Sequence, residues 1–395
     1  MRILVAMSGG VDSSTVAGLL HEAGHEVIGV TLQLYDHGVA SGRKGACCAG
    51  QDIHDARRVA DHLGIPHYVI DAEKRFADAV IADFADSYAA GETPVPCVRC
   101  NQTVKFADLT ALAQGLGCER LATGHYVRRI DGPDGAELHR AVDLARDQSW
   151  FLFATTREQL ARTLFPLGGM PDKRAVRGEA ARLGLPVAAK PDSQDICFVP
   201  SGHYADTVVR LRPDAGEPGD IVDGNHRVLG RHDGIARYTV GQGKRLGAAA
   251  VDGGQRQTVI ALDPARRRVI VGPRHTGTRV VRLREVNWLI PPPDRPLACQ
   301  VKLRARESPQ QAVASVRHTR ESERHLVAAC ADRGADVRLA TPALPAPGQA
   351  CVFYDGSRVL GGGFICRTAP AMVDAVGEGG LSPLPFGPDG GVAQR

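Results

Sequence analysis

Short apolar runs alternate with amphipathic stretches through the first half of the chain. The strand-like runs, which are rich in β-branched residues, lie at residues 3–6, 26–32, 67–70 and 120–123. The stretches with helical character lie at residues 15–20, 52–63, 76–88 and 101–116. This alternation predicts a parallel sheet covered by helices on both faces, with ligands bound outside the carboxyl ends of the strands.

The pattern changes after residue 197. From about residue 279, short strands separated by Gly and Pro turns predict a small β-barrel. They lie at residues 280–286, 298–304, 311–317, 349–354 and 358–366. We therefore expect an α/β protein with a Rossmann-like domain at 1–205, a small central domain at 206–277 and a C-terminal barrel at 278–370. The Gly- and Pro-rich residues 371–395 predict a disordered tail.

Composition limits the classes of function. A chain of 395 residues is too long for one compact core. Its 48 basic and 44 acidic residues give a net charge of +4, which neither requires nor excludes a nucleic acid partner. The sequence shows neither a membrane-length apolar run nor a signal peptide, so we expect a cytoplasmic protein without membrane partners. In that reducing compartment, the ten cysteines are first interpreted as thiols, metal ligands or nucleophiles.

A phosphate-binding loop is predicted directly after the first strand. It has the sequence Ala6-Met7-Ser8-Gly9-Gly10-Val11-Asp12-Ser13. Gly9 and Gly10 let the backbone approach a phosphate closely, and the serines add hydroxyl donors. The following helix directs its unpaired N–H groups at the same place. A plain helix cap would also contain serine and glycine, but the strand, turn and helix order favours an anion site. At the ends of two further strands, Leu32 and Gly124 are candidates to line an adenine and ribose pocket.

Two separated cysteine segments suggest nucleophilic chemistry. Prolines hold residues 91–96 extended, and Asn101 is a candidate cap for the next helix. Cys100 would then lie beside a helix N-terminus near Arg99 and Lys105, where a thiolate is stabilised. The pair Cys97 and Cys100 could instead be a redox pair or half of a metal site, and a buried structural role is the simplest alternative.

Cys197 lies in a polar segment at residues 190–198, well separated from the first pair. Together with an ATP-activating loop, the two cysteine segments predict sulfur chemistry. ATP would convert a poor leaving oxygen into an adenylate, one thiol would carry the sulfur, and the other would help to release it.

Several motifs together indicate a family. The serine and glycine loop resembles that of N-type ATP pyrophosphatases, and it is followed by further matching motifs. These are Cys47-Cys48, Cys100-Asn101, Lys105-Phe106, Ala122-Thr123-Gly124-His125-Tyr126, Asp147-Gln148-Ser149, Pro191-Asp192-Ser193-Gln194-Asp195-Ile196-Cys197-Phe198, Tyr238-Thr239-Val240-Gly241-Gln242, Pro347-Gly348-Gln349 and Gly361-Gly362-Gly363. In number and order they resemble the bacterial tRNA-specific 2-thiouridylases over nearly the whole chain.

The resemblance implies a tRNA-uridine 2-sulfurtransferase. ATP, with magnesium, would adenylate O2 of the wobble uridine in tRNAs of the lysine, glutamate and glutamine types, and AMP and pyrophosphate would be released. A cysteine desulfurase or sulfur-relay protein would supply a persulfide to Cys197, and Cys100 would be the nucleophile. In the family these two cysteines can also form a disulfide during the cycle. The resemblance further implies tRNA contacts from His125, Arg146, Asp147, Gln148 and Gln349.

Other residues have weaker assignments. Arg304 and Arg306 on a predicted barrel strand could contact the tRNA backbone, although solvated strand charges explain them equally well. Ser149 is predicted to cap a helix at residues 150–154. Five further cysteines lie in apolar surroundings and are predicted to be core residues. Apart from the two cysteine segments and the Cys47-Cys48 pair, they are Cys118, Cys299, Cys330, Cys351 and Cys366.

One position departs from the family pattern. Many members carry aspartate three residues before the nucleophile, where this chain has Cys97. A thiol is a weaker proton donor than a carboxylic acid. Cys97, Cys100 and Cys197 could also hold a [4Fe-4S] cluster with one open iron. Persulfide relay and cluster-bound sulfide are therefore rival sulfur paths.

Two other classes of function remain open from the residues alone. Amidotransferase-type synthetases and lysine-to-cytidine tRNA ligases have a similar loop, but they need no paired catalytic cysteines. A non-catalytic RNA- or metal-binding module would bind ATP without forming AMP.

Overall fold

The computed structural model describes residues 1–35, 48–192, 196–199, 204–274, 277–317 and 334–367. The side chains of residues 48 and 49 are not described. Cys47, Cys330, residues 193–195 and the predicted tail at 371–395 lie outside these ranges. The chain forms two compact units. The first comprises Met1–Ala82, Pro96–His203 and Ser357–Val359, and the second comprises Asp83–Val95, Tyr204–Gly356 and Leu360–Arg395.

The first unit is built on a five-stranded parallel sheet. Its strands are β1 (Arg2–Ala6), β2 (Glu26–Gln33), β3 (His67–Asp71), β4 (Arg120–Ala122) and β7 (Thr163–Leu164), in the order β3-β2-β1-β4-β7. The predicted parallel sheet is thus confirmed, and a two-residue edge strand is added. A β-hairpin formed by β5 (Val127–Gly132) and β6 (Gly135–Arg140) follows β4 and was not predicted.

Helices surround this sheet because their apolar side chains bury against it. The α-helices of the first unit are Val11–Glu22, Cys48–Leu63, Glu73–Phe76, Pro96–Cys100, Phe106–Gly115, Arg157–Arg162 and Lys173–Arg182, while the helix Ala82–Ala89 belongs from Asp83 to the second unit. Ile3 and Val5 of β1 are fully buried in one cluster with Val16, Val59 and Val176 from three different helices. Leu4, which points to the opposite face of the sheet, is also fully buried. Burial on both faces explains why β1 is continuously apolar rather than alternating.

Two helical stretches contain a π-helical turn. Ala77–Ile81 is π-helical between Glu73–Phe76 and Ala82–Ala89, and Asn101–Lys105 is π-helical between Pro96–Cys100 and Phe106–Gly115. Such π turns are rare and often occur at functional sites. The second one directly follows Cys100.

The second unit contains two β structures. A central sheet has the strands β8 (Gly219–Val222), β9 (Val228–His232), β10 (Val251–Asp252), β11 (Gln255–Asp263) and β12 (Arg268–Pro273), in the order β10-β11-β12-β8-β9. A closed barrel has the strands β13 (Thr278–Trp288), β14 (Leu297–Lys302), β15 (Gln310–Arg317), β16 (Gly334–Ala343), β17 (Ala350–Asp355) and β18 (Arg358–Ile365). Pairing of β13 with β18 closes the ring. One α-helix in this unit is Tyr204–Leu211.

The predicted barrel is confirmed, but β16 was missed. Its inward positions are Ala335, Val337 and Leu339, all fully buried, with Asp336 and Arg338 between them. The alternation is therefore real, but an alanine and a nearby Pro342 weaken its hydrophobic signal. Across the described ranges, the structure contains no helix long and apolar enough to cross a membrane.

Candidate active site

The phosphate loop lies where the order of the parallel strands reverses. It connects β1 to the helix Val11–Glu22, while Gly124 follows β4, the neighbouring strand on the other side. A Cβ on Gly124 would lie 2.9 Å from the backbone nitrogen of Ser13. The two strand ends therefore meet with no space for a side chain. Ligands bind at such a switch point in open α/β sheets.

Glycine is required at the turn of the loop. Gly9 has φ +73°, and a Cβ there would lie 2.1 Å from the carbonyl oxygen of Asp52. Gly10 is the N-cap of the following helix and offers no side-chain cap, so the first N–H groups of the helix remain available to an anion. Ser13 Oγ accepts a hydrogen bond from Ser8 N at 3.0 Å, which holds the loop in shape.

A cavity of about 710 Å³ opens beside the loop. It is lined by the predicted persulfide carrier Cys197 and by most of the residues that the sequence predicted for ATP and tRNA, namely Ala6, Met7, Ser8, Gly10, Val11, Asp12, Ser13, Leu32, Gly124, His125, Arg146 and Gln148. The fold thus brings the loop and Cys197 to one cavity within the first unit. The volume lies in the range typical of small-molecule sites.

Two lysines organise the charges at the loop. Lys173 Nζ lies 2.7 and 2.8 Å from the carboxylate oxygens of Asp12 and 2.8 Å from Asp192. Lys190 Nζ donates to the carbonyl oxygen of Gly9 at 3.0 Å and pairs with Asp52 and Asp55, each at 2.7 Å. Both ammonium groups are well placed to meet phosphate charge near the loop.

Asp192 connects this charge cluster to the Cys197 segment. Its carboxylate accepts from Arg146 Nη1 at 2.8 Å and from Arg177 Nη2 at 3.2 Å, in addition to Lys173. Burial by itself would raise the pKa of Asp192, but the bonds from Lys173 and Arg146 lower it overall. The carboxylate therefore stays ionised and holds three cations in one place.

His125 forms part of the cavity wall. Its ring stacks on Phe106 with centroids 6.1 Å apart, and its Nδ1 lies 2.9 Å from Thr123 Oγ1. Burial, together with the charge of Lys105, lowers the pKa of His125 to about 3. The imidazole is therefore neutral at physiological pH and can stack or accept a hydrogen bond, while its predicted contact with tRNA stays a prediction.

The cysteine pair lies on a helix that begins earlier than predicted. The helical run starts at Pro96, so Cys100 lies inside it and Asn101 does not cap it. Cys97, in the first turn, is exposed, whereas Cys100 is only 5% exposed. Burial raises the pKa of Cys100, although the charge of Lys105 opposes this. The expectation of a thiolate stabilised by a helix N-terminus at Cys100 is therefore wrong for this state of the protein.

Cys197 is a free thiol in the cavity wall, with part of its side chain in contact with solvent. Desolvation of the thiol by the surrounding protein nevertheless raises the pKa of Cys197 to about 11. Lys105 lowers this pKa, and the neighbouring thiols Cys100 and Cys97 raise it. The three sulfur atoms and the lysine therefore form one electrostatic group. Lys105 also lies in the cavity wall.

These thiols do not form a metal site in this structure. Among the residues that the structure describes, no group of three or more His, Cys, Asp or Glu side chains is arranged to hold a metal ion. Cys97, Cys100 and Cys197 all belong to this described part of the chain. The cysteines predicted to be core residues are buried where described, namely Cys118, Cys299, Cys351 and Cys366.

The Asp147 segment is held by internal bonds. The Asp147 carboxylate accepts from Arg140 Nε at 3.1 Å and from Ser149 Oγ at 2.9 Å, and its side chain is 2% exposed. Gln148 Oε1 accepts from the backbone N–H of Tyr126 at 2.9 Å. Ser149 begins a short 3-10 helix, Ser149–Phe151, and does not cap an α-helix, which corrects the prediction. Asp147 thus holds its own segment in shape, and its predicted tRNA contact stays a prediction.

Two predicted tRNA residues lie in the second unit. Arg304 Nη2 donates to the carbonyl of Val240 at 3.3 Å, and 43% of the Arg304 side chain is exposed. Gln349 Nε2 donates to the carbonyl of Thr93 at 3.0 Å. Arg304 is therefore accessible to a phosphate, whereas Gln349 already has a structural partner.

Family models match three parts of the chain. The model described as tRNA methyl transferase HUP domain matches residues 1–201, the tRNA methyl transferase PRC-barrel domain matches 207–273, and the aminomethyltransferase β-barrel domain matches 278–365. A tRNA-specific 2-thiouridylase of Acidiphilium cryptum is 68% identical over 365 residues, covering 92% of this chain and 100% of that protein. The chain belongs to the tRNA-specific 2-thiouridylase family.

A second 2-thiouridylase, from Gluconobacter oxydans, is 62% identical over 370 residues and covers 92% of this chain and 99% of its own. Among solved structures, NMN synthetase from Francisella tularensis covers 54% of this chain and 76% of its own at 19% identity. Its TM-score of 0.31 is too low to support an argument about function.

For a 2-thiouridylase site, sequence reasoning missed Lys173 and the role of Lys190. Lys190 precedes the Pro191-Asp192 motif, so its position could have been suspected from the motif alone. Lys173 lies in the first turn of a helix with no motif around it, and only the tertiary fold brings it to Asp12.

Proposed function

We propose that this chain is an ATP-dependent sulfurtransferase that converts the wobble uridine of tRNA to 2-thiouridine. The observation that carries the proposal is the cavity shared by the phosphate loop and Cys197. A single cavity that holds both an ATP-activating loop and a free thiol supports activation of O2 and sulfur transfer to C2 of the same base. Family membership gives the substrate class.

The first step is adenylation of the uridine. O2 of the base attacks the α-phosphorus of ATP, the bond to the β-phosphate oxygen breaks, and pyrophosphate leaves. Ser8, Gly9, Gly10 and Ser13 would surround the phosphates, with Lys173 and Lys190 balancing the charge of the leaving group. Leu32 and Gly124 would line the nucleoside pocket. The role of the protein in this step is to position the substrates and stabilise charge.

Magnesium would accompany the ATP. Mg²⁺ is commonly held by one or two carboxylates together with phosphate oxygens and waters. Asp12 lies in the cavity wall and is the carboxylate that the loop offers for this purpose. When bound, the ion would neutralise phosphate charge.

The second step transfers the sulfur. A cysteine desulfurase or sulfur-relay protein would convert the Cys197 thiol to a persulfide. The terminal sulfur attacks C2 of the adenylated base, the C2–O bond breaks, and AMP leaves. The Cys100 thiolate then attacks Cys197 Sγ, so that the sulfur–sulfur bond breaks and its electron pair stays on the sulfur bound to C2. The products are 2-thiouridine and a Cys100–Cys197 disulfide, which a dithiol must reduce.

Lys105 is the group that helps Cys100 react. In the resting state, burial keeps Cys100 protonated, and Lys105 is the cation that most favours its thiolate. Lys105 therefore opposes the effect of burial, and loss of its ammonium group would make proton removal from Cys100 harder. Cys97 is a further candidate to deliver a proton near the base.

The rival path, cluster-bound sulfide on Cys97, Cys100 and Cys197, is less well supported by this structure. These three side chains, which the structure does describe, are not arranged as a metal-binding set. We therefore propose no reaction step through a [4Fe-4S] cluster.

The test is tRNA thiolation measured by nucleoside mass spectrometry, with transcripts of the lysine, glutamate and glutamine tRNAs. Anaerobically purified protein is assayed before and after iron removal, with ATP, magnesium and a persulfide donor. Activity that survives iron removal is expected, with complete loss in Cys100→Ser and Cys197→Ser and retention in Cys118→Ala. Activity that returns only after cluster reconstitution would overturn the persulfide path. Absence of 2-thiouridine in every sample would overturn the function itself.

A further inference from the structure

Three free thiols in this active site differ in their access to solvent. Cys100 is buried, whereas Cys97 and Cys197 are both exposed; Cys197 lines the substrate cavity, and Cys97, at the start of the helix, is not part of the cavity lining as the structure describes it. The catalytic cycle proposed above uses only two of them. The cycle ends with a Cys100–Cys197 disulfide. Cys100 is buried, and Cys197 faces the cavity that would hold tRNA and ATP.

Cys97 and Cys100 are three residues apart on one helical run. Side chains at this spacing are neighbours, with Cβ atoms about 5–6 Å apart. A disulfide needs Cβ atoms about 3.5–4.5 Å apart. Only a small local adjustment at the first helical turn would therefore join them. Both thiols also act electrostatically on Cys197, so all three belong to one neighbourhood.

We propose that Cys97 is a resolving thiol that moves the disulfide out of the cavity. The Cys97 thiolate attacks Cys100 Sγ in the Cys100–Cys197 disulfide. The Cys100–Cys197 bond breaks, its electron pair goes to Cys197 Sγ, and the proton lost by Cys97 is balanced by the one that Cys197 gains. The result is a Cys97–Cys100 disulfide and a free Cys197 thiol. An external dithiol then supplies two electrons and two protons and becomes a disulfide itself.

This inference rests on the proposed function, because that function generates the first disulfide. It also has its own consequence. Cys197 becomes available for a new persulfide before the reductant has acted, and the reductant meets Cys97 outside the cavity lining instead of a disulfide in the cavity wall. The exposed Cys97 sulfur of the new disulfide is open to attack by an external dithiol, since exchange requires an accessible sulfur.

The experiment maps disulfides after one turnover. Protein loaded with persulfide is mixed with tRNA and ATP without reductant, quenched in acid, alkylated and analysed by peptide mass spectrometry. The wild type is expected to contain mainly the Cys97–Cys100 linkage, with Cys197 alkylated. In Cys97→Asp and Cys97→Ser the linkage should remain Cys100–Cys197, and the ratio of multiple-turnover to single-turnover rate with dithiothreitol should fall about tenfold or more. Cys118→Ala should behave like the wild type.

The outcomes are separable. If wild-type protein forms 2-thiouridine but contains only the Cys100–Cys197 linkage, with Cys97 alkylated, the resolving role is wrong while the proposed function stands. If it forms neither 2-thiouridine nor a new disulfide, the proposed function fails and the resolving role fails with it. Asp is informative at position 97 because it can still donate a proton but cannot exchange sulfur. A normal turnover ratio in Cys97→Asp would likewise overturn the resolving role.

Discussion

The Lys173 ammonium group lies 2.7 and 2.8 Å from the two carboxylate oxygens of Asp12. Asp12 belongs to the phosphate loop, and Lys173 opens a helix that is 161 residues later in the chain. The same lysine also reaches Asp192, next to the Cys197 segment. One cation therefore fixes the nucleotide loop and the sulfur-bearing segment to each other.

Replacing Lys173 should impair adenylation. Lys173→Met removes charge-assisted bonds worth about 1.5–3 kcal/mol, which corresponds to a loss of roughly 10- to 100-fold in rate. The measurement is pyrophosphate release that depends on tRNA. Arg174→Met is the matched control, because the neighbouring Arg174 side chain is 94% exposed. Equal rates in Lys173→Met and wild type would show that the lysine has no part in activation.

Gly9 and Gly24 have similar φ angles, but replacement of each by alanine should have different effects on ATP binding. Gly9→Ala must place a Cβ 2.1 Å from the Asp52 carbonyl at φ +73°, so the loop must move and ATP binding should be lost. Gly24 has φ +78° but open space around it, so Gly24→Ala should cost only about 1–2 kcal/mol of stability and leave ATP binding unchanged. Calorimetry with a non-hydrolysable ATP analogue, together with thermal unfolding, separates these effects. Intact binding in Gly9→Ala would contradict the geometry of the loop.

His125 should make stability depend on pH. Its pKa is about 3 in the folded protein and near 6.5 when unfolded, so the unfolded state binds more protons between these values. The stabilisation that results from this pKa shift is complete above pH 6.5. It is lost as the pH falls from 6.5 towards 3, by at most about 1.4 kcal/mol per pH unit. Between pH 7 and 5, the free energy of unfolding measured in urea should fall less steeply for His125→Gln than for the wild type. His21→Gln, on the surface, should keep the wild-type slope, and an identical slope in His125→Gln would refute the assignment.

A buried ion pair in the second unit should matter more than an exposed one in the first. Arg284 Nη2 lies 2.7 Å from Glu92 Oε2, and the side chains are 18% and 16% exposed. Glu92→Gln leaves Arg284 with the longer 3.5 Å contact to Glu285 as its carboxylate partner and should lower the free energy of unfolding by about 1.5–3 kcal/mol. Glu22→Gln breaks the exposed pair with Arg182 and should leave the free energy of unfolding nearly unchanged. Chemical denaturation of the full chain measures both, and similar losses would contradict the argument from burial.

The sequence predicts those parts of the site that depend on local order. The phosphate loop, the ends of β2 and β4 and the cavity position of Cys197 follow from a strand, turn and helix pattern and from motifs. The environment of Cys100 could not be predicted, because an earlier helix start at Pro96 and burial reverse the effect expected from a helix N-terminus. Lys173 was missed for a different reason, since its partner Asp12 is set by tertiary packing alone.

The division of the chain into interleaved units affects when the protein can fold during its synthesis. Glu92 cannot pair with Arg284 until the ribosome has added 192 further residues, and His139 cannot bond to Ser357 until it has added 218. At about 5–20 residues per second, the ribosome needs roughly 10–40 s to deliver either partner. Neither unit can therefore complete these contacts while the ribosome is still synthesising the strands of the barrel. A fragment ending near residue 205 would carry every nucleotide-loop residue and all three thiols, yet its acidic side chain at position 92 would have no guanidinium partner.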